Sequence, residues 1–343
     1  MEKRFINRAC ACAAVFCCTT LAASAAEDST PVFRTTSELV LLDVQVVHPK
    51  TATSTKSLRR ADLEVFEDGK PQTVSFFSRD ELPMSIVMLF DMTDSSRAVL
   101  KRLAEGARSA LSHLKPADEV AVMVYAAHGR VIDGFTTNRD HTAAAIGRAA
   151  GEHQPGGAFF NEAVWEAADL LNKSGSPSGR RVVIWLTDNL PNVPMHSRYS
   201  HDGDTRPVHT ESEAIRSLHE SGTVVAPLLE RSALVMGWVG PLMAFEAPFR
   251  HSYPPGDAHK YAELTGGEAI GLSGKRVDER LTELIDDLRS RYTVGYRPTD
   301  EKPPGTFCKV KVALAPDGAL RPQEWKVLAR AGYYRKPINP VGH

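Results

Sequence analysis

The sequence predicts an α/β protein: a doubly wound, mostly parallel sheet flanked by a β-sandwich-like accessory domain built from the N- and C-terminal segments. Three observations carry that expectation. Apolar strands ending in acids alternate with amphipathic helical stretches between Pro83 and Arg291. Residues 32–77 are β-rich, and the chain turns β-rich again after Tyr292. Finally, 343 residues are enough for two domains, each with its own core.

In chain order, residues 1–25 read as a secretory signal peptide. Lys3, Arg4 and Arg8 precede an apolar run over 9–23, and Ala23-Ser24-Ala25 supplies small residues for cleavage near Ala25. The run is too short and wrongly flanked for a membrane anchor. The expected location is therefore exported, periplasmic or extracellular, with no integral span in the mature chain. Cys10, Cys12, Cys17 and Cys18 fall in this stretch, which leaves Cys308 as an unpaired, buried thiol.

Residues 26–82 are expected as an N-terminal β segment. Residues 38–47 are rich in Val and Leu, 63–67 alternate cleanly, and Asp68-Gly69 turns the chain into a strand over 71–77. The polar stretch 54–60 reads as a solvated loop. Residues 83–291 are expected as the α/β domain. A strand opens it at 85–90, and apolar residues at helical spacing predict a helix over 97–114 that stops at Pro116. Strands over 119–126 and 129–135 make a hairpin. One helix begins at Asn138 and ends near Gly151, and Pro155-Gly156-Gly157 leads into another over 159–171. A strand over 180–187 runs into Asp188. Beyond it a helix over 211–221, a strand over 223–229 and helices over 258–264 and 277–291 complete the domain. Residues 292–343 form a C-terminal β segment, expected to pack with the N-terminal one so that neither end is stable alone.

Composition narrows the function. Lys+Arg 41 against Asp+Glu 42 gives a formal net charge of -1, which offers no electrostatic ground for a nucleic-acid partner. A hydrophobic content of 42% with 24% charged residues is that of an ordinary soluble globular protein.

Chemistry concentrates after the first strand of the α/β region. Five apolar residues, Ile86 to Phe90, run into Asp91, and hydroxyls follow at Thr93 and Ser95. A continuous apolar run reads as a strand buried on both faces, and open α/β sheets bind ligands at the carboxyl ends of their strands. One carboxylate and two hydroxyls are hard oxygen donors suited to Mg²⁺, Mn²⁺ or Ca²⁺; the same cluster would also cap the next helix. Asp188, at the end of a second buried strand, places another acid on that edge and favours the metal.

These residues resemble a known family. An apolar strand followed by Asp-x-Thr-x-Ser, a Gly-Gly loop opening a helix, and a later strand ending Leu186-Thr187-Asp188 look like a von Willebrand factor A domain. Phe66-Glu67-Asp68-Gly69-Lys70-Pro71-Gln72, Tyr292-Thr293-Val294-Gly295-Tyr296-Arg297-Pro298 and Gly332-Tyr333-Tyr334 are similar to the secreted bacterial von Willebrand factor A-related proteins. The resemblance implies a metal-ion-dependent adhesion site with Asp91, Thr93, Ser95 and Asp188 as ligands. Mg²⁺ is the expected ion, with Mn²⁺ or Ca²⁺ as alternatives. Thr93 stands where the family usually has Ser and keeps the hydroxyl, while Asp94 and Ser96 replace the usual Gly and Met. Ala158 occupies the position where the family carries a ligating Thr, and a methyl cannot ligate a cation. A water can replace that hydroxyl, so the implied site is partly degenerate, and switching linked to the Thr is the property most affected.

Other features weigh less. His196, His201, Asp202, Asp204 and His209 read as a solvated polar loop, with added metal contacts as the other reading. The apolar stretch 233–249, with Trp238, Phe245 and Phe249, suits a protein-binding surface or a satellite core. There is no Gly-x-Ser-x-Gly elbow, no phosphate-binding Gly-rich loop with Lys, and no His-Glu-x-x-His. A strand-end Asp nucleophile of the haloacid dehalogenase-like phosphatases needs an acid where this chain has Thr93. The expectation is a non-enzymatic, adhesion- or scaffold-type protein-binding module that takes a partner's acidic group through a divalent cation. The alternative is a metal-independent assembly module with a vestigial site, and a strand-end Asp phosphatase is the more distant one.

Overall fold

The computed structural model describes residues 39–51, 53–79, 82–92, 94–126, 128–152, 158–176, 179–189, 209–230, 257–272 and 277–336. The signal-peptide reading of 1–25, the stretch 26–38, the Gly156-Gly157 loop, the polar loop before His209 and the apolar stretch 233–249 lie outside them. In order, β1 (Val40–His48), β2 (Thr53–Ser54), β3 (Leu63–Glu67), β4 (Lys70–Gln72) and β5 (Val74–Arg79) precede β6 (Met84–Asp91). Next come α1 (Asp94–Leu111), β7 (Glu119–Tyr125), β8 (Gly129–Thr136), α2 (Arg139–Gly151), α3 (Phe160–Asn172) and β9 (Arg180–Thr187). They are followed by α4 (Glu211–Ser221), β10 (Val224–Glu230), α5 (Ala258–Thr265), β11 (Ile270–Leu272) and α6 (Val277–Arg289). Strands β12 (Tyr292–Tyr296), β13 (Phe307–Leu314), β14 (Lys326–Leu328) and β15 (Gly332–Tyr334) close the chain.

The fold is mixed α/β with three sheets. The six-stranded sheet has the order β11-β10-β9-β6-β7-β8. Its ladders are parallel except for β7 with β8, the hairpin at one edge. The other two sheets, β14-β1-β12-β5 with β2 on β1, and β15-β13-β3-β4, are antiparallel throughout. Over the whole chain antiparallel ladders therefore predominate, and the expected mostly parallel sheet is one sheet of three.

Strand β6 explains why its sequence is apolar without alternation. Side chains on a strand point to opposite faces in turn. Ile86, Met88 and Phe90 pack into one apolar cluster with residues of α1, α2 and α6. Val87 and Leu89 pack into a second cluster with α3, α4 and α5. Both faces are covered, so every residue of β6 is buried. Each such Ile, Leu or Phe contributes about 1.5–3 kcal/mol of burial.

Local signals set the helix ends. The Asn138 side chain accepts from the His141 N–H at the start of α2, and Thr210 with Glu213 makes a capping box on α4. Helix α1 starts at Asp94, earlier than the apolar spacing indicates, because its first turn is polar. Helix α6 stops at Arg289 rather than running to Arg291, whose side chain is drawn into an ion pair across the molecule. Helix α5 ends on Gly266 at φ 79°, where a Cβ would collide with the Ala329 backbone.

The N- and C-terminal segments pair with each other. Strand β1 lies between β12 and β14, and β3 pairs with β13. The two antiparallel sheets share one apolar layer that includes Leu42, Val44, Val65, Val294, Val312 and the unpaired, buried Cys308. The strand expected over 71–77 is broken at Thr73, because β4 belongs to one of these sheets and β5 to the other. Ser54, read from sequence as the start of a loop, forms β2 with Thr53 on the edge of β1 through Val47↔Ser54 and a Gln45 side-chain bond to Ser54 at 2.8 Å.

An ion triad of two buried arginines and a mostly buried acid joins this layer to the six-stranded sheet. Arg180 Nε donates to Asp43 Oδ2 at 2.5 Å, and Arg291 Nε donates to Asp43 Oδ1. Both guanidinium groups also donate to carbonyls, Arg180 to Leu288 and Arg291 to Gly266, while Arg291 donates to Gln45 Oε1 at 2.7 Å. Burial pushes the Asp43 carboxyl up, but the two Arg charges and their hydrogen bonds outweigh it and hold it below the usual carboxylate range.

Candidate functional site

Sheet order marks one place on the carboxyl edge. From β6 the chain moves outward through β7 and β8; from β9, on the other side of β6, it moves the opposite way through β10 and β11. Strand order thus reverses between β6 and β9, the kind of crevice where open α/β sheets hold ligands. The two strands pair in parallel with Phe90 beside Leu186, so Asp91 and Thr187 end the strands side by side and Asp188 follows at once.

Asp91 is fully buried, and its orientation is set by neighbours on both flanking strands. The Tyr125 hydroxyl, at the end of β7, donates to Asp91 Oδ2 at 3.1 Å. The Thr187 hydroxyl, at the end of β9, donates to the same oxygen at 3.1 Å. Trp185 Nε1 in turn donates to the Tyr125 oxygen at 2.9 Å, which fixes the direction of the relay. Burial, reinforced by the Asp91 charge, pushes the Tyr125 phenol well above its ordinary value, so it stays protonated and remains a donor. An apolar, aromatic floor of Phe160, Trp185 and Tyr261 lies beneath, with Phe160–Trp185 centroids 4.9 Å apart.

The backbone after Asp188 is pinned with equal care. Asn189 adopts the left-handed conformation at φ 59°, and its N–H donates to the Thr187 hydroxyl at 3.1 Å. Its side chain reaches α5, donating to Asp257 Oδ1 at 3.2 Å and accepting from the Ala258 N–H at 2.8 Å. Thr187 therefore couples the two acids: it donates towards Asp91 and accepts from the residue just past Asp188. Asp188 itself is partly exposed at the edge.

Of the residues expected from sequence, Asp91 and Asp188 are brought to one edge on adjacent strands. Thr93 lies outside the described residues, as do the side chains of Asp94 and Ser95. Ala158 is fully buried, and the N–H of the next residue, Phe159, donates to the Ala126 carbonyl at 2.9 Å. Its methyl belongs to the apolar cluster under the sheet. The donor set fits a hard divalent cation in kind, because it offers two carboxylates on adjacent strand ends, that of Asp91 held in place by two hydroxyl donors. At Ala158 it falls short of the ligand set that the resemblance implies. Tyr125, Thr187 and Asn189 were not singled out from sequence; Thr187 was visible only as the middle of Leu-Thr-Asp, and the Tyr125 contact needs the strand register.

Comparison with known proteins places these residues in context. Residues 86–190 match the family profile described as the von Willebrand factor type A domain. No curated protein matches the sequence. Among solved structures, the chain is similar to the conserved hypothetical protein BatB from Bacteroides thetaiotaomicron, at 14% identity, 60% of this chain, 98% of that one and a TM-score of 0.41. It is similar to a von Willebrand factor type A protein from Catenulispora acidiphila, at 12% identity, 81% and 75% coverage and a TM-score of 0.45. It is also similar to the PilB minor pilin from Streptococcus sanguinis, at 8% identity, 61% and 62% coverage and a TM-score of 0.42.

Proposed function

The chain carries a von Willebrand factor type A domain, and from that premise we propose that it is an exported, non-enzymatic binding module whose ligand contact is metal-dependent. In this reading the six-stranded sheet is doubly wound, and its carboxyl edge at the β6–β9 reversal is the binding face. Asp91, Thr93, Ser95 and Asp188 hold a divalent cation, Mg²⁺ in the first instance. The cation supplies a Lewis-acidic coordination position for a carboxylate of a protein partner. The chain's own residues do the positioning: Tyr125 and Thr187 direct one oxygen of Asp91, and Asn189 fixes the backbone at Asp188.

The observation that carries the reading is the juxtaposition of Asp91 and Asp188 on adjacent strand ends, tied through Thr187. Export rests on the sequence pattern of residues 1–25; no helix among the described residues is long and apolar enough to cross a membrane. One observation favours a second reading. The buried Ala158 methyl removes an oxygen from the family's set, which suits an assembly module that needs no metal.

A carboxylate-bearing peptide separates the two. Its binding is measured in Mg²⁺ and again in EDTA, for the wild type and for Asp91→Ala. Metal-dependent recognition predicts binding that EDTA and the substitution each abolish. Equal binding in all conditions supports the metal-independent module.

A further inference from the structure

A second group of potential ligands lies at the β7–β8 turn, built from residues that the adhesion-type site does not use. Helix α3 presents Glu162 and Glu166 one turn apart, so both carboxylates share a face. His128 sits in the turn that follows Tyr125, and His209 immediately precedes the cap of α4. Their side chains are mostly buried, at 6% exposure for His128, 4% for Glu162, 20% for Glu166 and 22% for His209. One ligand atom each from His128, Glu162 and Glu166 falls within 4.8 Å of the other two.

The two carboxylates are oriented in the same way. Each has one oxygen taken by a backbone amide and the other turned towards His128. Glu162 Oε2 accepts from the His209 N–H at 2.7 Å and lies 3.0 Å from His209 Nδ1. The His209 ring is itself stacked on Trp165 with centroids 3.7 Å apart. Glu166 Oε2 accepts from the Gly129 N–H, an approach that a Cβ at 129 would block. The remaining oxygens, Glu162 Oε1 and Glu166 Oε1, each stand 3.9 Å from His128 Nδ1.

That separation is too long for a hydrogen bond and close to the spacing of ligands around an ion. Ligands about 2.0–2.2 Å from a tetrahedral cation lie about 3.4 Å apart, so a contraction of about half an ångström would close the group around one. Two carboxylates so near each other in a mostly buried site repel, and a cation between them relieves that repulsion. Hydrogen bonds that hold the outer oxygens while the inner ones converge are the supporting layer expected around a bound metal. A hard ion such as Mg²⁺ prefers oxygen alone, whereas one imidazole nitrogen with two carboxylates suits Zn²⁺ or Mn²⁺.

The geometry points to a second metal site, in which His128 Nδ1, Glu162 Oε1 and Glu166 Oε1 ligate a divalent transition ion, Zn²⁺ in the first instance. His209 orients Glu162 without ligating. The assignment does not rest on the Asp91 site, and the two are separable by experiment.

The test is a titration of metal-stripped full chain with Co²⁺, followed by visible absorption, and with Zn²⁺, followed by calorimetry. The expected result for the wild type is one Zn²⁺ per chain at this site and a Co²⁺ spectrum of low coordination number that Zn²⁺ bleaches. Asp91→Ala keeps both signals. His128→Ala and Glu162→Gln each weaken Zn²⁺ binding at least tenfold and lose the Co²⁺ spectrum. A wild type that gives neither signal overturns the proposal, whatever the variants do. Signals that survive in both folded variants, checked by circular dichroism, or that disappear in Asp91→Ala, overturn it as well.

Discussion

Thr187 has the most to do for its size. Its hydroxyl donates to Asp91 and accepts from Asn189, so Thr187→Val leaves Asp91 Oδ2 with one hydroxyl donor fewer and strands the Asn189 N–H. The expected loss is about 1–3 kcal/mol of stability, read by urea unfolding, together with weakened Mg²⁺ binding. Ala158→Ser tests the converse. Restoring an oxygen where the family carries one should strengthen Mg²⁺ binding about tenfold, equivalent to about 1.4 kcal/mol, as measured by calorimetry.

His219 provides a pH prediction at the same scale. Burial, aided by the Arg330 charge, pushes its imidazole down from 6.5 to about 4. A group whose folded value is depressed binds its proton better in the unfolded chain. Stability is therefore intact above pH 6.5 and lost as pH falls from there towards 4. Between pH 7 and pH 5 the loss is about 1–2 kcal/mol. His219→Gln should flatten that part of the pH–stability curve, which chemical denaturation at the two pH values will reveal.

Among the elements, β6 and β9 were legible because a strand buried on both faces must be apolar at every position, and Met84–Asp91 and Arg180–Thr187 nearly are. Asp91 and Asp188 stood out as the acids that end those runs. Short edge strands were harder. β2 and β11 have two and three residues, too few for alternation to register, and they exist because a neighbouring strand offers unpaired amides. The break at Thr73 was not legible either, since the two sheets that divide β4 from β5 are defined only by partners far along the chain. The His128, Glu162 and Glu166 group shows the same limit. Glu162 and Glu166 carry helical spacing, but nothing in the sequence says that a turn more than thirty positions earlier faces them.

At the scale of the molecule, the Asp43–Arg180–Arg291 triad ties the antiparallel layer to the six-stranded sheet. Removing one partner leaves buried charge uncompensated, so Asp43→Asn should destabilise the fold by about 3–5 kcal/mol. Because the Asp43 carboxyl is held below its ordinary value, its contribution is present at neutral pH and is lost as pH falls through that lowered value. The substitution should therefore narrow the gap between wild type and variant in acid. Strands from both chain ends meet in one layer, so a cut anywhere in that layer should lower the stability of the whole molecule rather than of one end.

The account centres on the pair of acids at the β6–β9 reversal, and its most direct measurement is calorimetric titration of Mg²⁺ into the metal-stripped chain and into Asp91→Ala. The account predicts one saturable Mg²⁺ site in the wild type, a matching rise in thermal midpoint, and the loss of both in the variant. Identical titrations for the two proteins, or a wild type that binds no Mg²⁺, would contradict it.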